Sequence, residues 1–100
     1  MSRAERAKEY FMQGYACSQA VALAFADVAG VDADTVSKMT LPLGGGLGRL
    51  RLTCGAVSGM AVAFGMLTAK PEPDAENKKA TYLAVQQLCA RFAAENGSLI

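Results

Sequence analysis

One hundred residues, 52% apolar and 19% charged, suffice for one folded domain and are too apolar for a disordered chain. Ten basic against nine acidic groups leave a net charge of +1, so no basic field exists to hold nucleic acid and no such partner is expected. The chain has no His, which excludes Ser-His, Cys-His and His-metal sites within it and leaves chemistry to three Cys, the carboxylates, Arg/Lys and the backbone.

The sequence is Ala-rich and lacks any period-two run of β-branched or aromatic residues, so helices are expected throughout. A first helix is predicted over residues 3–13, with Ala7, Tyr10 and Phe11 on one face and Gly14 ending it. A second starts at Cys17 or Ser18 and reaches Ala29, with Val21, Ala24, Phe25 and Val28 as its apolar stripe and Gly30 closing it. A short third begins at Asp32 or Ala33 and stops before Pro42. Residues 41–52 are too rich in Gly for a regular element. Thr53 then reads as the N-cap of a fourth helix over about 54–68, apolar all round and so expected to be the central, most buried one. After a polar, Pro-rich loop with Asp74 as cap, a fifth helix runs over about 75–95 and ends at Asn96-Gly97. Its predicted core stripe is Lys78 (by its stem), Tyr82, Val85, Cys89 and Phe92, with Leu88 beside it. The fold expected is all-α: one domain over 1–100, a small bundle of four to five helices around the central helix at about 54–68.

The N-terminus is charged and lacks the apolar core of a signal peptide, so a cytoplasmic location with reduced thiols is expected. The apolar run 53–69 barely reaches bilayer length and holds three Gly. It reads as a buried helix, and no membrane insertion is expected. The Leu99-Ile100 pair just past the Gly97 cap suggests a short or cut chain.

Two of the three Cys share one context. Cys17 and Cys54 each follow a turn and each begin a helix, where unpaired backbone N–H groups and the positive end of the helix dipole favour the thiolate. Arg49 and Arg51, just upstream of Cys54, add to this. A thiolate attacks disulfides and binds soft metals, so Cys17 and Cys54 are the candidate redox or metal-ligating pair. The bland alternative is that each is a small buried hydrophobe, the reading preferred for mid-helix Cys89. The Gly-rich loop lacks the spacing of either nucleotide fingerprint. A backbone anion site from Gly45, Gly46 and Gly48 with Arg49 remains open, against a simple tight crossing of the loop.

Gly14-Tyr15-Ala16-Cys17-Ser18-Gln19-Ala20-Val21, then Gly44-Gly45-Gly46-Leu47-Gly48-Arg49, then Cys54-Gly55-Ala56-Val57-Ser58-Gly59 resembles the C_GCAxxG_C_C family of redox-active proteins. The last segment matches its CGAxxG motif, and the resemblance covers nearly the whole chain. It implies a small bacterial or archaeal protein with four characteristic Cys, named for those Cys and without a defined reaction. Cys17 and Cys54 carry over as the first two. The third is implied after a Gly-Ser-x-x segment, here Gly97-Ser98-Leu99-Ile100. The third and fourth are therefore absent from the sequence as it stands, and Cys89 lies too early to be either.

Two functions follow as expectations. The first is thiol redox exchange with a thiol-containing partner, or soft-metal binding, at Cys17 and Cys54. The second is a non-enzymatic helical interaction module with buried, inert Cys. A homodimer through apolar faces of the fifth or second helix is also expected, because a domain this small buries a limited share of its surface.

Overall fold

The computed structural model of the protein describes residues 2–100. Among these residues it has five α-helices and no strand: α1 (Arg3–Met12), α2 (Cys17–Ala29), α3 (Ala33–Thr40), α4 (Gly55–Thr68) and α5 (Ala75–Asn96), with one 3-10 turn at Leu41–Leu43. The expected all-α bundle is therefore present. Its helix ends follow local capping chemistry. Ser2 and Glu5 form a reciprocal capping box on α1, and the Asp32 and Asp74 carboxylates accept from the N–H groups of Thr35 and Asn77. Gly30 and Gly97 close α2 and α5 in the left-handed conformation.

The centre of the bundle differs from the expectation. α2, rather than the helix at 54–68, packs against α1, α3 and α4 together. Its buried residues include Leu23 and the alanines Ala20, Ala22, Ala24 and Ala26, whose small side chains let three helices close around it. The predicted stripe is displaced accordingly: Val21 and Phe25 are half-buried and Val28 is exposed. α4 is apolar all round, yet only Gly55, Val57, Gly59 and Ala63 are buried. Gly55 and Gly59 form the crossing with α2. A Cβ on Gly59 would stand 2.8 Å from the Ser18 carbonyl oxygen, and one on Gly55 would stand 3.2 Å from the Ser18 nitrogen.

On α1, Tyr10 turns inward and meets Tyr15 edge-on at 5.5 Å, whereas Phe11, expected on the same face, is exposed. Arg3 and Arg6 both reach Asp27 and tie α1 to the end of α2. α5 has no fully buried residue and rests chiefly on α4. Val85, Leu88, Cys89 and Phe92 are half-buried. Lys78 and Tyr82 of the predicted stripe are instead exposed, with the Lys78 ammonium 5.8 Å above the Tyr82 ring. No helix of the described residues is long and apolar enough to cross a membrane.

Candidate functional site

The close crossing at Gly55 and Gly59 sets the starts of α2 and α4 side by side. Cys17 is the first residue of α2, as expected. Cys54 is itself the N-cap of α4, so the capping role expected of Thr53 falls one residue later. No side-chain oxygen caps either helix, so their first N–H groups have no side-chain acceptor. All three Cys are free thiols; Cys17 is exposed, and Cys54 and Cys89 are half-buried. Cys17 and Cys54 line one open cleft of about 750 Å³, together with Gly45, Gly46, Arg49 and Arg51. Cys89 lies on α5, outside its lining.

The loop that contributes Gly45, Gly46, Arg49 and Arg51 to the cleft is an unusual piece of backbone. Five consecutive residues take positive φ: Gly45 (65°), Gly46 (75°), Leu47 (69°), Gly48 (57°) and Arg49 (64°), followed by Arg51 (57°). A chain wound this way forms a left-handed turn, which costs each non-Gly residue roughly 1–2 kcal/mol. Glycine is required where the turn closes on itself, since a Cβ on Gly46 would lie 2.6 Å from the Arg51 Cα. The turn is held from within: the N–H groups of Arg49, Arg51 and Leu52 donate to the carbonyls of Gly44, Gly45 and Gly46.

This bears on the backbone anion site read from the sequence. Gly45, Gly46 and Arg49 line the cleft; Gly48 does not. The Gly48 and Arg49 amides are already committed, to the Pro42 and Gly44 carbonyls. Formal positive charge at the cleft is carried by the Arg49 and Arg51 side chains, beside the Gly45 and Gly46 backbone that also lines it.

A buried polar network fixes the Cys17 turn, and sequence reasoning missed it. The Ser18 hydroxyl donates to the Thr40 carbonyl at 2.7 Å. The Gln19 amide donates to the carbonyl and hydroxyl of Ser37, while its oxygen accepts from the Ala16 N–H at 2.9 Å. Gln19 thus completes half a capping box for Cys17. The signal was a Gln at the third helical position, hidden because Ala16 cannot supply the other half. On the α4 side, the Cys54 N–H donates to the Leu99 carbonyl at 2.6 Å, and Ile100 joins the cleft lining. Among the described residues no group of three or more His, Cys, Asp or Glu is arranged to hold a metal ion.

Residues 15–100 match the protein-family description "Putative redox-active protein (C_GCAxxG_C_C)". The chain belongs to the C_GCAxxG_C_C family. No curated protein and no solved structure matches the chain. The geometry gives the C_GCAxxG_C_C motif a physical meaning here. In Cys54-Gly55-Ala56-Val57-Ser58-Gly59 the Cys is the N-cap, and the two Gly admit the α2 backbone that carries Cys17.

Proposed function

We propose that the protein performs thiol–disulfide exchange with Cys17 and Cys54 as the reacting pair. The observation that carries this reading is one cleft lined by two free thiols at adjacent helix starts, one exposed and one half-buried. Exposed Cys17 is the first attacker. Its thiolate displaces one half of a disulfide and forms a mixed disulfide. Cys54 then displaces the other half, leaving a Cys17–Cys54 disulfide and two released thiols. The redox-active character of the family supports the same reading. The test is single-turnover oxidation of the reduced protein, followed by intact mass. Wild type should lose two free thiols and retain no adduct. Cys54→Ser should stop at a mixed disulfide on Cys17. Cys17 and Cys54 staying unreacted towards both a disulfide and an alkylating agent until denaturation would end the proposal.

For the inert-module alternative, the buried-Cys condition is not met at Cys17, which is exposed. For the soft-metal alternative, two thiolates are half of a closed tetrahedral set, so the remaining donors must come from outside the described residues.

We also propose a second copy of the chain as partner, through α5. α2 is enclosed by three helices, which leaves α5 of the two faces expected. The protein exposes 6702 Å², against about 5,400 Å² for a folded monomer of its mass. That excess exceeds the roughly 800 Å² each partner contributes to a standard interface. Tyr82 and Leu83 are exposed on α5, with Leu67 exposed at the end of α4.

A further inference from the structure

Favouring the thiolates is one use for the positive charge of the cleft, and holding a substrate is a second. Arg49 and Arg51 both line it and both are exposed. Among the described residues the ion pairs go to Asp27, Asp74 and Glu95, and neither arginine has a partner. No Asp or Glu side chain lines the cleft. The uncapped starts of α2 and α4 add the positive ends of two helices of 13 and 14 residues. Both arginines, moreover, occupy left-handed backbone that Gly would adopt without strain. Folding alone gives no reason for Arg at either place.

We infer that the disulfide exchanged at Cys17 and Cys54 is a small molecule bearing carboxylates, held by Arg49 and Arg51. This rests on the exchange reading above and adds the substrate class to it. A cleft of about 750 Å³ matches a small ligand. The planar guanidinium fork matches a carboxylate in two parallel hydrogen bonds. One carboxylate on the arginines leaves the S–S bond beside the thiols at the helix starts. The Cys17 thiolate breaks that bond, forms Cys17–S–S–R and releases R–S⁻, which takes a proton from water. The Cys54 thiolate then releases the second R–S⁻. Two electrons pass from the protein dithiol to the small disulfide, which leaves as two carboxylated thiols.

The experiment compares three oxidants of the reduced protein: 3,3′-dithiodipropionate (dianion), 2-hydroxyethyl disulfide (neutral) and cystamine (dication). Each rate is divided by that of the same disulfide with free mercaptoethanol, which removes intrinsic reactivity. The dianion should lead the dication by about tenfold or more, and added salt should shrink that lead. In the double variant Arg49→Gln/Arg51→Gln the ratio should collapse towards one, while Arg49→Lys/Arg51→Lys should retain part of it. A circular-dichroism melt of each variant confirms that it is folded. Equal corrected rates for all three oxidants, or a preference that survives the Gln double variant, overturns the substrate class and leaves exchange standing. Failure of all three to oxidise Cys17 and Cys54 overturns exchange itself.

Discussion

Gly59 of α4 lies so close to Ser18 of α2 that a Cβ there would stand 2.8 Å from the Ser18 carbonyl oxygen and 3.0 Å from the Val21 Cβ. The nearest obstacle is backbone, which cannot swing aside. Gly59→Leu should therefore destabilise by about 1–3 kcal/mol or more. Gly55→Leu should behave similarly, its nearest neighbour being the Ser18 nitrogen. Cys89→Ala, at a half-buried position, should cost less than either. Urea unfolding midpoints of the three variants check the order. An unchanged melting temperature for Gly59→Leu would count against the α2–α4 crossing.

The left-handed turn separates stability from function. Arg49→Gly should leave the fold as stable or raise its stability by up to about 1 kcal/mol, because Gly adopts positive φ without the Cβ clash. Gly46→Ala should do the reverse, since its Cβ would meet the Arg51 backbone. In thermal melts Gly46→Ala should fall below wild type and Arg49→Gly should not.

Acid should weaken the α1–α2 contact. Partial desolvation raises the Asp27 carboxyl, but hydrogen bonds from Arg3, the Val28 N–H and Arg6, with the Arg3 charge, outweigh it and hold it below its ordinary value. The Asn77 N–H and the Lys70 ammonium do the same for Asp74. A lowered carboxyl stabilises the fold fully above its ordinary range, and that stability is lost as pH falls through the lowered one. Unfolding midpoints should thus drop as pH is taken from about 6 to about 2, and less steeply in Asp27→Asn. Equal slopes in both proteins would remove Asp27 from the account.

Light scattering across a concentration series should give the mass of two chains at high micromolar concentration. Leu83→Glu on α5 should shift the mass towards one chain without lowering helicity, because Leu83 is exposed. A single-chain mass for wild type at every concentration would remove α5 as a dimer face.

Helix positions were legible because their punctuation is local. Gly30, Gly97, Asp32 and Asp74 mark ends by their own conformational or hydrogen-bonding chemistry. Cys17 and Cys54 at helix starts were legible from the breaks before them, Gly14 and the Gly-rich segment, although the Thr53 cap fell one residue early. Which helix is central was not. Hydropathy favoured α4, but closeness of approach depends on side-chain size, and the alanines buried on more than one side of α2 decided it. On α5 the spacing placed Val85, Cys89 and Phe92, with Leu88 beside them, on the half-buried side and missed at Lys78 and Tyr82, which are exposed near the start of the helix. The left-handed run through Leu47 and Arg49 carried no signal, since nothing local favours positive φ in either residue.

A helix held mainly by one neighbour has its own timetable. α5 packs chiefly on α4, buries no residue fully, and is joined by a segment containing Pro71 and Pro73. Detaching it would expose little of the core, so it should open long before α2 does. Amide protons of α5 should exchange by this sub-global opening, those of α2 only by complete unfolding. The Cys89 thiol should then accept a bulky label in mild denaturant while Ser18, Gln19 and Thr40 still hold α2 and α3 together. One half-buried cysteine thereby becomes a clock for the least anchored part of the molecule.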